Sequence, residues 1–538
     1  MGKKKRQPRQ VDSAQLAAIV ERTRTGALGE EDFATLKAAL DTLAFLTAEL
    51  QAKGTSLARL RRLLFGAPTE KTAQVLRKAG PPPAGRPQGQ AQDGGRAPRH
   101  GRHAAAAYTG ARREKVAHAQ LKSGDGCQGC LKGKLYPLRE PAVLVRVTGM
   151  APLGATVWEC ERLRCNLCGE VYTAQAPEGV GEEKYDASAT AMTGLLKYGC
   201  GLPFHRIEKL QEGLGIPLPA STQWELVEDA ARKLEPAFEQ LRQQAAQADV
   251  LHNDDTPMKV LDLSKAQLEA ASSGGPAQRT GVYTSGVIAT KGERAIALFF
   301  TGRQHAGENL ADVLKRRAAQ LKAPVQMADA LAANTAGDFK ALLANCLAHA
   351  RRGFVEVAND FPEECRFVLE TLRDVYRTDA VAKQKNLTPA ERLALHQRES
   401  GPRMEKLAGW LEEQVRERKV EPNSGLGAAL KYMRKHWPKL TLFLREPGAP
   451  LDNNVCERAL KKAILHRKNS LFYRSENGAH VGDIFMSLIH TVELHDGNPF
   501  DYLVALLRHH ECVADEPGEW MPWNYRQALE ALRTATTS

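Results

Sequence analysis

Leucines recur every seven residues near the start of the chain, at Leu36, Leu43, Leu50, Leu57 and Leu64, with Leu40, Leu46 and Leu60 beside them. This spacing lays one apolar stripe along a helix and predicts a leucine-zipper-like segment over 1–75 that pairs with a second copy. Gly54 and Arg61 interrupt the companion positions, so an amphipathic helix packed on its own domain is the alternative; Pro68 ends the stripe. From Ala79 to Ala107 large apolar residues thin out among Pro81, Pro82, Pro83, Gly94, Gly95 and several arginines, which predicts a flexible basic linker over 76–118. Helical spacing returns between Ser188 and Ala246, broken at Gly213–Pro219 and resumed at Ser221, Thr222 and Trp224. Two helices around a glycine-containing turn give 177–246 a helix-turn-helix character suited to DNA, with plain packing as the alternative.

After Asp249 the pattern changes to strands. Val250–Leu261, Gly281–Thr290 and Ala295–Thr301 are rich in Val, Ile, Thr and aromatics, with turn residues such as Lys291-Gly292 between them. A helix from about Glu308 to Leu321, a short strand at Val325–Ala328 and a helix from about Thr335 complete a βββαβα order. That order is compatible with a ribonuclease-H-like core beginning in 247–360. From Asp360 to Leu444 the spacing is wholly helical, with Thr388, Pro389 and Glu391 forming a capping box that has proline at the first helical position. The expected fold class is thus multidomain α/β, its core interrupted by a helical insertion over 361–450. The core then resumes with a final helix in 451–500, and a helical tail follows over 501–538.

At 538 residues, 43% of them hydrophobic, the chain has material for several cores. Lysine and arginine number 75 against 63 acids, a net charge of +12 that favours a polyanionic partner, nucleic acid foremost. Aromatics at 6% supply no sugar-stacking cluster, which argues against a glycosidase. No apolar run approaches the ~18 residues of a membrane span, so no membrane partner and a cytoplasmic, nucleoid-associated location are expected. Four of the ten cysteines fall in two Cys-x-x-Cys knuckles, Cys127 with Cys130 and Cys165 with Cys168. Four thiolates close a tetrahedral site, so 119–176 is read as a zinc-binding domain holding one structural Zn²⁺, with Cys160 a competing ligand.

Three acids carry the candidate chemistry. Asp254 lies on the first predicted strand in His252-Asn253-Asp254-Asp255-Thr256-Pro257, and Asp329 follows the fourth in Gln326-Met327-Ala328-Asp329. Glu457 opens a helix in Asp452-Asn453-Asn454-Val455-Cys456-Glu457-Arg458. In a ribonuclease-H-like sheet the first and fourth strands are neighbours, so the first two carboxylates converge. Hard oxygen ligands suit two Mg²⁺ (or Mn²⁺) ions, which about 3.5–4 Å apart stabilise the entering and leaving oxygens of an in-line phosphoryl displacement. Asn454, Glu457 and Lys461 share a helix face, and Arg458, Lys462, His466, Arg467 and Lys468 extend a basic surface for DNA. Cys346 and His349 stand a helical turn apart, an incomplete metal pair, and His349 is read as packing or hydrogen bonding near the acids.

These residues in this order resemble the transposases of the insertion-sequence-66 family across most of the chain. The resemblance runs through Leu60-Arg61-Arg62-Leu63-Leu64-Phe65-Gly66 with Glu70-Lys71, the two cysteine knuckles, His252–Pro257, and Cys346, His349, Arg351 and Arg352. It continues through Asn453-Asn454 with Glu457-Arg458, Arg467-Lys468-Asn469, Leu471-Phe472, Ser487-Leu488-Ile489, and Pro499 with Tyr502-Leu503. It implies an Asp-Asp-Glu transposase with Asp254, Asp329 and Glu457 catalytic and His349, Arg351 and Arg352 in support. The implied partners are terminal inverted repeats and target DNA, a homo-oligomer, and accessory proteins of the same element. Where the family usually has Asp-Glu-Thr this chain has Asp254-Asp255-Thr256, which keeps Asp255 open as the alternative acid. Where the family has Asp-Gly-Tyr it has Asp329-Ala330-Leu331, which raises a co-opted DNA-binding protein as the rival reading. A junction resolvase is disfavoured because such nucleases are compact.

Overall fold

The computed structural model describes residues 183–264, 279–337 and 339–537 continuously; before 183 it describes only shorter pieces, the longest being 29–37, 150–164 and 171–181. Of the zipper stripe only Leu36 is described, within helical residues 30–37. The remaining zipper leucines, the linker, and Cys127, Cys130 and Cys165 lie outside the described residues, while Cys168 is described and exposed. In the chain, strands β1 (Arg162–Arg164) and β2 (Val171–Thr173) bracket the second knuckle and pair antiparallel.

The chain divides into two compact units: one takes in 1–80, 351–375 and 409–430, the other 81–350, 376–408 and 431–538. The second unit is built on a mixed sheet of β3 (Val250–Pro257), β4 (Tyr283–Lys291), β5 (Arg294–Gly302), β6 (Val325–Ala328) and β7 (Leu342–Asn345). Their order is β5-β4-β3-β6-β7; β4 is antiparallel to both β3 and β5, and β6 runs parallel to both β3 and β7. Before the sheet come α1 (Ala187–Gly194), extended by a π turn at Leu195–Gly199, then α2 (Phe204–Gly213) and α3 (Ala220–Ala245). Asp186 caps α1 by accepting from the Ala189 amide at 2.9 Å. The turn between α2 and α3 falls where the sequence places it. Val227, Ala230, Leu234, Phe238 and Leu241 of α3 recur at helical spacing and are buried in one core with Val287, Leu298 and Phe299 of the sheet.

Two expectations are corrected. The helix after β5, α4 (Ala306–Leu314), stops well short of Leu321. Arg317 leaves the helical path to donate to the carbonyls of Ala246 (2.8 Å) and Ala248 (2.7 Å), and Gln247 binds the Arg316 carbonyl at 2.8 Å, so tertiary bonds replace the last helical turn. No helix starts at Thr335. Gly337 takes φ +59° and β7 follows, paired with β6, before α5 (Leu347–Val357) begins. The strand Leu342-Leu343-Ala344-Asn345 lacks β-branched residues, and sheet pairing overrides its helical propensity.

The stretch 361–450 is helical as expected: α6 (Pro362–Gln384), α7 (Pro389–Glu399), α8 (Gly401–Arg416) and α9 (Gly425–Leu440). Thr388 and Glu391 form the capping box of α7 with Pro389 in its first turn. Within the first unit Phe367 packs its ring 5.2 Å from that of Trp410, and Arg351 donates to the Thr72 hydroxyl at 3.2 Å. Within the second, buried Asp379 takes bonds from Arg392 (2.7 Å) and His396 (3.3 Å), and His396 meets Ser400 at 3.0 Å. Ser400 and His396 are fully buried, so this serine–histidine–aspartate chain acts as a structural tie.

The chain closes through α10 (Asn454–Ser470), α11 (Glu476–Leu494), α12 (Pro499–Arg508), α13 (His510–Asp515) and α14 (Tyr525–Thr537). Helix α11 seals the outer edge of β5. The amides of Ala297, Phe299 and Thr301 donate to Thr491 (3.1 Å), Ser487 (2.9 Å) and Asp483 (2.6 Å) respectively, and His495 Nε2 meets the Ala295 carbonyl at 3.0 Å. Four helical residues rise about 6 Å and two strand residues about 6.6–6.8 Å, so side chains four apart on the helix meet amides two apart on the strand. Among the described residues no helix is long and apolar enough to cross a membrane.

Candidate active site

The parallel pairing of β3 with β6 sets Val250 opposite Val325 and His252 opposite Met327, an offset of 325 − 250 = 75 residues. Asp254 and Asp329 are separated by the same 329 − 254 = 75, so extending the register two residues past its last pair sets the acids level, Asp329 lying just beyond the end of β6. Successive strand residues face opposite sides of a sheet, which separates Asp254 from Asp255. Asp255 accepts from the Ser285 hydroxyl (2.7 Å), the His305 ring (2.9 Å) and the Ala306 amide (3.1 Å), a carboxylate seated at the start of α4. Asp254 stands on the other side with Asp329. Buried Asn334 spans the pair, its amide donating to Asp329 at 2.6 Å and lying 3.4 Å from Asp254. The Leu331 amide adds a bond to Asp329 at 3.1 Å.

Glu457 arrives from the first turn of α10. Fully buried Asn453 fixes that helix start. Its side chain donates to the Asn253 carbonyl (3.0 Å) and accepts from His252 (3.1 Å), while its own amide donates to Cys346 Sγ (3.3 Å). Burial pushes the His252 imidazole down to about 4, so it is neutral. Gly286 lets α10 approach the sheet: a Cβ there would lie 3.0 Å from Leu460, and Cys456 donates to the Gly286 carbonyl at 3.3 Å. Burial pushes the Asp254 carboxyl up to about 7, opposed by the hydrogen bond from the Asp255 amide and reinforced by the charges of Asp329, Glu457 and Asp255. The three expected acids therefore share one electrostatic neighbourhood.

Beside them, at the start of α5, the ligand atoms of Cys346, His349 and Glu457 all lie within 4.8 Å of one another. His349 Nδ1 stands 3.7 Å from Glu457 Oε1, and neither atom has a hydrogen-bond partner although both are buried from solvent. Arg351 and Arg352 follow on the same helix. On α10, Arg458, Lys461 and Lys468 are exposed and Asn454 is part-exposed. Lys462 and Arg467 are occupied internally: Lys462 pairs with Glu493 at 2.8 Å, and Arg467 donates to the Thr256 hydroxyl at 3.1 Å and to the Pro257 carbonyl. His466 is buried, its ring 4.4 Å from that of Tyr473, so it adds nothing to an exposed basic surface.

Sequence reasoning missed a set of buried amides. Asn253 donates to the Asn334 carbonyl (2.7 Å), and Gln326 donates to that same carbonyl (2.6 Å) and to the Asn253 side chain (3.0 Å). The Ala336 amide completes the set by donating to Gln326 at 3.3 Å. These bonds hold the segment after Asp329 against the sheet. The available signal was Asn253 and Gln326 lying inside apolar strands, since a polar residue at a core position needs partners.

Residues 183–481, more than half the chain, match the family described as Transposase IS66 family. The chain belongs to that family. It is 26% identical over 400 residues to the uncharacterized protein y4hP of Sinorhizobium fredii, a match covering 69% of this chain and 68% of that one. It is also 26% identical over 386 residues to the uncharacterized protein y4jD of the same organism, covering 68% and 71%. The uncharacterized protein y4qI, again from that organism, matches at 27% identity over 187 residues, 34% of each chain.

Proposed function

We propose that this chain is an Asp-Asp-Glu DNA transposase whose acids Asp254, Asp329 and Glu457 hold two divalent ions, Mg²⁺ or Mn²⁺, for strand cleavage and strand transfer. The observation that supports the reading is the Asn334 amide joining Asp329 to Asp254 at the common 75-residue offset of β3 and β6, with Glu457 close enough to raise the Asp254 carboxyl. The strand order β5-β4-β3-β6-β7, with three antiparallel strands followed by two parallel ones, supports a ribonuclease-H-like core over 247–360 and 451–500. The helical stretch 361–450 is its insertion.

The residues present fit divalent cations. Burial and the charges of Asp329, Glu457 and Asp255 raise the Asp254 carboxyl to about 7, Asn334 joins Asp329 to Asp254, and Glu457 Oε1 lacks a partner. When bound, such ions polarise the scissile phosphate and activate the attacking hydroxyl. The chain's own residues do the placing. Asn334 spaces Asp254 from Asp329, Asn453 sets the entry of Glu457, and Asp255 braces β3 against α4. Exposed Arg458, Lys461 and Lys468, with Asn454, are assigned to DNA phosphates, while Arg467 and Lys462 hold α10 in place. His436 and Lys439 line a cleft beside Asp329 that extends this basic margin. The α2–α3 pair is the proposed end-recognition element, the cysteine knuckles a structural zinc module, and the heptad helix the contact between copies.

The test uses purified protein and DNA carrying the inverted repeats that flank its gene. Glu457→Gln should bind ends normally and not cut them, whereas Lys461→Ala should weaken binding and lower its salt dependence by roughly one counterion. Cleavage by Glu457→Gln at the unmodified rate, or by the unmodified chain in EDTA, refutes the assignment. Binding without cutting under any metal establishes the co-opted DNA-binding reading instead.

A further inference from the structure

We infer that Cys346, His349 and Glu457 form a separate transition-metal site for a zinc-class ion, contiguous with the acid cluster and sharing Glu457 with it. Cys346 and His349 are three residues apart at the start of α5, and Glu457 faces them from the first turn of α10. Two bonds fasten these helix starts together: Leu347 amide to Leu451 carbonyl at 2.9 Å, and Asn453 amide to Cys346 Sγ at 3.3 Å. These bonds set the two helix starts that carry the three donors side by side.

The spacing suits a metal and not a hydrogen bond. At 3.7 Å, His349 Nδ1 and Glu457 Oε1 are too far apart to share a proton, yet neither has another partner. Leaving two such atoms buried and unmet is unfavourable. In a tetrahedral centre with bonds of about 2.0–2.3 Å, ligand atoms stand about 3.3–3.8 Å apart; the His349–Glu457 pair has that separation, and Cys346 lies within 4.8 Å of both. The donor set of sulfur, imidazole nitrogen and carboxylate oxygen selects a borderline ion and not Mg²⁺, which takes oxygen ligands. Binding forms a metal–sulfur bond as the Cys346 thiol proton leaves to solvent, and the Asn453 amide remains as donor to the thiolate. The donor atoms are buried while the side chains of His349 and Glu457 keep exposures of 27% and 29%, so the site lies just beneath the surface. On the proposed role of Glu457, an ion here withdraws that carboxylate from Asp254 and Asp329 and opposes Mg²⁺-dependent cleavage.

The test is a metal count on the full chain, which needs no cleavage. Unmodified protein, Cys346→Ser, His349→Gln and Glu457→Gln are equilibrated with buffered Zn²⁺, gel-filtered and analysed for zinc per chain. The unmodified chain should retain one zinc more than each variant, and adding Co²⁺ to metal-depleted protein should give a thiolate-to-cobalt absorption that weakens in Cys346→Ser. Equal zinc in the unmodified chain and in either His349→Gln or Glu457→Gln overturns the site. Those two side chains are part-exposed, so they decide the question even if the buried Cys346→Ser variant does not fold. A chain that shows the extra zinc but never cuts DNA keeps this site and rejects the transposase chemistry.

Discussion

Asn334 donates its side-chain amide to Asp329 at 2.6 Å and lies 3.4 Å from Asp254, so one buried neutral group separates two carboxylates that would otherwise repel across the strand pair. Groups that orient metal ligands from behind typically govern metal affinity or activity by about 10–100-fold. Asn334→Ala should therefore lower Mg²⁺-dependent cleavage by roughly that factor and raise the Mg²⁺ needed, with end binding unchanged. A magnesium titration of cleavage checks it, and an unshifted curve counts against the spacer role.

Asp254 and Asp255 should respond oppositely to the same chemical change. The Asp254 carboxyl is raised from 3.8 to about 7, so in metal-free protein it favours folding below its unfolded value and loses that contribution as pH rises through about 7. Asp254→Asn should stabilise the metal-free chain at about pH 8, by about 2 kcal/mol, and abolish cleavage. Asp255→Asn weakens charge-assisted bonds to Ser285, His305 and Ala306 and should destabilise by about 1–3 kcal/mol while leaving some metal-dependent cleavage. Thermal melts beside cleavage assays separate the two.

The distinction between these neighbours shows what the sequence could carry. Motif resemblance favoured Asp254, but only the pleat of β3 and the position of α4 give Asp255 its own task. That task asks for a carboxylate at a helix start, which fits the family's frequent glutamate there. The strands β4 and β5 were legible because β-branched and aromatic residues crowd them, and the capping box at Thr388 was legible because its signal is local. Strand β7 was not, since Leu342-Leu343-Ala344-Asn345 reads as helix until a neighbour pairs with it. The end of α4 at Leu314 was hidden for a similar reason, the partners of Arg317 lying some seventy residues earlier in the chain. Arg467 and Lys462 looked like DNA contacts because charge is visible in a sequence and an internal partner is not. Ala330 looked like a lost glycine, yet it is absent from the positive-φ residues, so no left-handed backbone is needed there.

A second pH response lies away from the acids, at fully buried Asp483. Burial pushes its carboxyl up to about 7, against the bonds it accepts from the Thr301 amide (2.6 Å) and hydroxyl (2.7 Å). Its contribution is present below the unfolded value and lost as pH rises through about 7. Asp483→Asn should retain both contacts, because the Thr301 hydroxyl can turn to donate to Thr284 at 2.8 Å and accept from the new amide. The variant should melt close to the unmodified chain near about pH 5 and above it near about pH 8.5. Equal melting at both values would mean that Asp483 titrates normally.

The α11–β5 contact offers a test on stability alone. Thr491 both accepts from the Ala297 amide and donates to the Ala297 carbonyl, each at 3.1 Å. Thr491→Val keeps the shape and leaves two buried backbone groups unmet, a cost of about 1–3 kcal/mol. Denaturant unfolding should show that loss, and a change within error would mean that α11 holds the strand by apolar packing only.

The seal that α11 places on β5 is made late. Asp483 follows Thr301 by 483 − 301 = 182 residues. At about 5–20 residues per second, a ribosome needs about 10–40 s to supply it. Through that interval the outer rim of β5 is an open row of amides and carbonyls, able to recruit another nascent strand. A transcript cut short before residue 483 yields a chain with that rim permanently bare, so the fragments left by partial copies of the gene should collect in inclusion bodies and not accumulate as soluble competitors of the full-length protein.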